Sequence, residues 1–295
     1  VGLRPSPGRV AFGAAGEGAF PSDLFAIPGQ PFSVAGPMAR NVPDVALLLD
    51  AMVGHHPRDP ISLPRTETRY LDAVKSRTKP KKVAFSRDLG VTPVDQEVAE
   101  ICEKAAKRFE QLGCIVEEAH PDFSDVQDIF QTWRAMSFYV GKKALLDTNK
   151  DLLKPEVVWN IERAAEITVD DFARVELARA RYLNRAVTFF EEYDLLLSPA
   201  TVVPPYPVEQ RFVAELGDYK FSNYVEWLSI AYAITITGHP ALSVPAGFTK
   251  DGLPVGLQIV GGPRGEANLL SAANLYEEIS DLKNLVPIIP KKSLT

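Results

Sequence analysis

Apolar residues recur along this chain with two different periods, and the change of period marks out its elements. Val45, Leu48, Leu49 and Met52 fall at helical spacing behind Asn41, a good cap, with Pro43 and Asp44 in the first turn, which predicts a helix from Asn41 to about Gly54. Val98, Ile101, Ala105, Phe109 and Leu112 share one face of a second helix, Asp95 to Gln111. Short apolar runs flank it at Val83–Phe85 and Cys114–Val116, giving a strand–helix–strand unit of the parallel type. Residues 125–192 read as mostly helical, with Thr168 capping a long helix whose first turn carries Asp170 and Asp171. Leu195-Leu196-Leu197 has no polar face, as expected of a strand covered on both sides. Phe221 to Ile236 reads as a helix, Ala241–Val244 and Val255–Val260 as a hairpin turned by Lys250-Asp251-Gly252, and Gly265 to Ile279 as a last helix.

The first forty residues are rich in Gly and Pro, which predicts turns and short extended pieces. Residues 55–69 read as a polar loop, and the tail with Pro287 and Pro290 as extended. The expected fold is α/β, a mixed sheet with helices on both faces, as a single domain over residues 1–295.

Composition narrows the function classes. At 46% hydrophobic and 24% charged the chain is ordinary for a globular protein, and a net charge of −6 gives no general attraction for nucleic acid or an anionic membrane. The basic cluster Lys75, Arg77, Lys79, Lys81 and Lys82 reads as a solvated linker. The uncharged run Trp227–Thr249 is long enough to test as a membrane span, but Gly238, Pro240 and Pro245 break it into a buried helix and a buried strand. Two cysteines, Cys102 and Cys114, are too few for a disulfide framework or zinc site. With no secretory signal in view, they suit a cytoplasmic location.

Candidate chemistry is sparse. Ser76-Arg77-Thr78-Lys79 has the spacing at which a lysine could take a serine's proton, but charges and Pro80 surround it, and a basic lysine needs a desolvated setting. His55 and His56 are adjacent and diverge, which suits zinc poorly. His120 stands alone; His239, between Gly238 and Pro240, reads as a core or pocket-wall histidine. Gly261–Gly265 joins a strand to a helix and reads as an ordinary turn before an anion site. No cofactor is indicated.

Four stretches resemble the amidase signature family. Val1–Val10 is similar to its VGLKPTxGRV segment, and Ala35–Arg40 with the following helix to its GPMARTVxDAALLL segment. Asp194–Thr201 resembles its DxLLxPT strand and loop, and Gly238–Phe248 with Asp251–Gln258 its GxPAxSVPxGfxxDGLPVGLQ hairpin. The resemblance runs in order from Val1 to about Glu278, and residues 60–190 match the family only loosely. It implies hydrolysis of a carboxamide C–N bond through an acyl-enzyme. A serine attacks, and a second serine on a cis peptide relays the proton to a neutral lysine. A Gly–Ser-rich loop holds the oxyanion. The family carries these parts ahead of the VGLKP segment, so no catalytic residue is assigned here, and the chain is expected to be the carboxy-terminal part of such an enzyme, inactive by itself. Arg40 is expected to tie loops together. Trp133, Trp227 and Tyr232 are expected in the substrate wall, with plain core packing as the alternative. The implied partner is a small-molecule amide, with a homodimer possible over an open sheet edge. A non-catalytic binding module and the amidase-like component of a tRNA-dependent amidotransferase are the other readings.

Overall fold

The computed structural model describes residues 1–12 and 32–282. The Gly- and Pro-rich stretch 13–31 and the tail 283–295, both read above as extended or turn-rich, lie outside the described residues. A six-stranded mixed sheet forms the centre. Its strands are β1 (Gly2–Arg4), β2 (Lys82–Phe85), β3 (Ile115–Glu118), β4 (Leu195–Pro199), β7 (Ala241–Phe248) and β8 (Pro254–Gly261), with β5 (Glu215–Leu216) and β6 (Tyr219–Lys220) making a separate two-stranded ribbon. The order is β1-β7-β8-β4-β2-β3, with β2 parallel to β3 and β4 and the remaining pairs antiparallel.

The alternation along each strand divides the interior in two. Leu3, Phe85, Leu195, Leu197, Leu242 and Leu257 point to one face and pack with α1 (Val42–Met52), α2 (Tyr70–Ser76), α3 (Gln96–Lys107) and α8 (Glu266–Ile279). Ala84, Leu196, Ala241 and Val260 point to the other, against α4 (Val126–Asn149), α6 (Val169–Glu192) and α7 (Ser229–Thr237). A further helix, α5 (Pro155–Ala164), packs on α4. The α/β arrangement with helices on both faces is thus as the residue pattern predicts. β4 is buried at every position, and its one hydroxyl, Ser198 Oγ, accepts from Gln258 Nε2 at 3.0 Å.

Local signals explain most helix starts. Asn41 Oδ1 accepts from Asp44 N at 2.8 Å, and Thr168 and Asp171 form a reciprocal capping box. Two elements differ from the expected ones. Residues 70–76, which follow the expected loop and run into the expected basic linker, form α2, because Asp50 of α1 accepts from Tyr70 N at 2.8 Å and from Leu71 N at 3.1 Å. The helix expected from Phe221 starts only at Ser229, after a short 3₁₀ turn at Glu226–Leu228. Asn223 Oδ1 takes Val225 N, and the Glu226 carboxylate takes Ser222 N, so side chains claim the backbone groups a helix would use.

Candidate functional site: an open strand edge and an aromatic wall

β1 covers only part of β7. Gly2 pairs with Ser243, Leu3 with Leu242 and Arg4 with Ala241, while β7 runs on to Phe248 with no strand on that side among the described residues. The outer side of β1 is taken by the segment before α1: Leu3 N donates to Pro37 O and Ala39 N to Val1 O, each at 3.0 Å. Gly36 has to be glycine there, since a Cβ would stand 1.9 Å from the Leu3 carbonyl oxygen. The uncovered half of β7 opens onto a groove of about 1160 Å³, lined among others by Val1, Arg40, Ser243, Phe248 and Tyr276. That is larger than the roughly 300–1,000 Å³ usual for a small-molecule pocket, and its floor includes strand edge.

The arginines divide their roles differently from expectation. Arg40 is exposed and makes no ion pair among the described residues. Arg4 and Arg9 join segments far apart in the chain. Arg4 Nη2 reaches Thr235 O at 3.4 Å, in the last turn of α7, where a cation meets the negative end of the helix dipole. Among the described residues no carboxylate pairs with Arg4, and burial lowers its pKa to about 10. Arg9 pairs with Glu266 at 3.4 Å. The sequence signal for Arg4 was its place as the lone cation in a short apolar strand.

The aromatic candidates separate. Tyr232 is 3% exposed, lies flat on Phe130 with ring centroids 3.9 Å apart, and donates its hydroxyl to Gln127 Oε1. Burial raises its pKa to about 12. Phe32 bridges Phe130 and Trp133, at 5.8 and 6.1 Å. Trp133 is half-buried, with its Nε1 on Glu176 at 2.7 Å. Trp227, also half-buried, stands apart against Tyr206 at 5.8 Å and donates to Tyr224 O. The structure therefore joins Trp133 and Tyr232 through one aromatic cluster and places Trp227 outside it.

The remaining candidates are occupied structurally. Ser76 ends α2, its hydroxyl on Ala73 O at 2.7 Å, and Arg77 follows in the left-handed region at φ 54°, so Ser76 and Lys79 do not share a helical face. His120 is exposed and bonds Pro121 O. His239 is 4% exposed, edge-on to Phe190, and burial lowers its pKa to about 4. Among the described residues no group of His, Cys, Asp and Glu could hold a metal, His55 and His56 included. At the Gly261–Gly265 turn the anion at the helix start is the protein's own Glu266 carboxylate, bonded to Ser6 N. The basic cluster is largely neutralised in place, Lys82 by Glu117, Arg77 by Glu278 and Lys75 by Asp72. No helix among the described residues is long and apolar enough to cross a membrane, and Trp227–Thr249 divides into α7 and β7.

The model of the family described as Amidase matches residues 1–270. This chain belongs to the amidase family. The chain is 32% identical over 282 residues to an acylamidase of Rhodococcus erythropolis, covering 95% of itself and 57% of that protein. It is 31% identical over 305 residues to a glutamyl-tRNA(Gln) amidotransferase subunit of Moorella thermoacetica, covering 95% of itself and 59% of that protein. Among solved structures, a bacterial aryl acylamidase of the amidase signature family superposes with a TM-score of 0.79 at 25% identity, over 94% of this chain and 57% of that one. A 6-aminohexanoate cyclic dimer hydrolase shares the fold, with a TM-score of 0.74 at 22% identity, over 94% of this chain and 59% of the hydrolase. The chain thus spans less than two thirds of the length of these relatives.

Proposed function

We propose that this chain, as one domain, supplies the wall and supporting sheet of an amidase that hydrolyses a carboxamide C–N bond to an acid and ammonia or an amine. In this reading the nucleophilic serine, the relay serine and the lysine belong to polypeptide outside these 295 residues, and the chain by itself is inactive. One observation carries the proposal: three serine hydroxyls among the described residues serve the fold. Ser76 bonds a backbone carbonyl, Ser198 accepts from Gln258, and Ser229 takes part in the Glu226 turn. None of them bonds a lysine amine, and a serine without a base at hydrogen-bond reach is a weak nucleophile. The share of the acylamidase covered, 57%, supports the same view.

The half-buried Trp133 and Trp227 would offer apolar faces to an acyl or aryl group, with Tyr232 packed behind as support. The 32% identity to the acylamidase and the TM-score of 0.79 to the aryl acylamidase support the acylamidase branch in this reading. A second reading, a non-catalytic module that associates through its sheet, is favoured by the uncovered half of β7. Light scattering separates it: a monomer at high micromolar concentration sinks it.

The catalytic reading is tested with an acylated nitroaniline, followed by absorbance. The purified chain is expected to release no nitroaniline. Joined to the front portion of the Rhodococcus acylamidase, it is expected to turn over, with KM raised by Trp133→Ala or Trp227→Ala. Turnover by the chain alone, lost on replacing one of its own serines, would overturn the proposal. So would a joined protein that is folded by circular dichroism yet inactive.

A further inference from the structure

A pocket of about 480 Å³ lies between α4, α5 and the turn before α7. Its size falls within the roughly 300–1,000 Å³ usual for small-molecule sites. Helical spacing builds its walls: Gln127 and Gln131 stand one turn apart on α4, and Trp159 and Arg163 one turn apart on α5. Glu226 joins them from the 3₁₀ turn.

Two charges in this pocket lack a counter-charge. The Arg163 guanidinium lies 5.3 Å from the Trp159 ring centroid, and its Nη1 donates to Gln131 Oε1 at 3.1 Å. Gln131 is held in turn, its Nε2 donating to Asn223 Oδ1 at 3.3 Å. These contacts fix Arg163 without neutralising it, and among the described residues no carboxylate pairs with it. Glu226, 8% exposed, accepts from the Tyr219 hydroxyl at 2.6 Å and from Ser222 N and Oγ. Those donors are neutral, and among the described residues no cation pairs with Glu226. The third charge on the wall, Asp128, is already matched by Arg174. A charge held out of water gains most from a partner of opposite sign. A carboxylate alone would meet Arg163 but face Glu226, and an amine alone would meet Glu226 but face Arg163.

We propose that the pocket binds a small amino acid, its carboxylate on the fork of Arg163 and its ammonium on Glu226. Gln127, on the same wall, also accepts from the Tyr232 hydroxyl, which places the pocket beside the aromatic cluster. Isothermal titration calorimetry of the purified chain with alanine, 4-aminobutyrate and 5-aminopentanoate tests this across three separations of the two groups. It reads binding alone, so the catalytic reading can fail without touching it. At least one of the three is expected to bind with a Kd of about 1 mM or tighter. Butyrate and butylamine are expected to bind at least about tenfold more weakly. No saturation by any of the three amino acids, or equal binding by butyrate or butylamine, overturns the proposal. Arg163→Gln is expected to weaken the amino acid roughly ten- to a hundredfold, as loss of a charge-assisted hydrogen bond does. An unchanged Kd in that variant, folded by circular dichroism, also overturns it. The comparison with butyrate and butylamine needs no substitution, so it decides the matter even where the variant fails to fold.

Discussion

Replacing Asp50 separates the two things its carboxylate does for α2. The helix has no cap of its own, since Arg69 at its start offers no side-chain acceptor. Asp50, on α1 and buried, accepts from Tyr70 N at 2.8 Å and from Leu71 N at 3.1 Å, and Arg69 Nε lies 3.6 Å away. A hydrogen bond to a charged group contributes about 1.5–3 kcal/mol, and a carboxylate at a helix N-terminus about 0.3–1 kcal/mol more. Side chain and backbone can relax and water can enter, so Asp50→Ala is expected to cost about 3 kcal/mol. Asp50→Asn keeps one acceptor oxygen but sets an NH₂ group against the second N–H; its cost is expected to be about 1–2 kcal/mol. With a urea slope of about 3 kcal/mol/M, Asp50→Ala moves the unfolding midpoint down by about 1 M and Asp50→Asn by about half that. Equal midpoints for Asp50→Ala and the parent chain, or a larger shift for Asn than for Ala, would refute the account of how α2 is held.

Two further outcomes follow from buried titratable groups. His239 is neutral in the fold, its pKa lowered by burial to about 4 from 6.5. The unfolded chain therefore binds the extra proton first, and the stability this gives, whole above pH about 6.5, falls away as pH drops toward 4, by up to about 3 kcal/mol. The pH dependence of the urea midpoint should be shallower in His239→Phe over that window; parallel curves would contradict the burial argument. Cys102 is fully buried, donates to Gly256 O at 3.4 Å, and burial raises its pKa to about 12. It should resist a thiol reagent at pH 8 until the chain unfolds, and rapid labelling of Cys102, identified by mass spectrometry, would show otherwise.

What the sequence made legible was whatever it encodes over short range. The caps at Asn41 and Thr168 bond residues three positions on, and the hairpin β7–β8 carries its own turn, so both were visible in the string. α2 was not, because its acceptor comes from Asp50, twenty positions earlier. The start of α7 was misplaced because Asn223 and Glu226 outbid the helix for backbone donors, a competition that apolar spacing does not register. In the candidate site the aromatic residues were visible as types but not as neighbours. That Trp133 reaches Tyr232 through Phe32 and Phe130 depends on how α4 lies on α7. The Ser76–Lys79 spacing, set aside in the sequence for its charged surroundings and Pro80, is also broken in the fold by the left-handed Arg77.

The first ten residues find their partners late in the chain: β1 on Ala241–Ser243, Arg4 on Thr235, and Ser6 on Glu266, separated from it by 260 positions. On a ribosome adding roughly 5–20 residues each second, those partners emerge some 10–50 s after the opening segment has left the exit tunnel. For that interval the strand has only the Pro37–Ala39 segment beside it, and the two arginines lack their partners. Residues 235–266 then close the ring, so a segment made well before them is fixed only when they arrive.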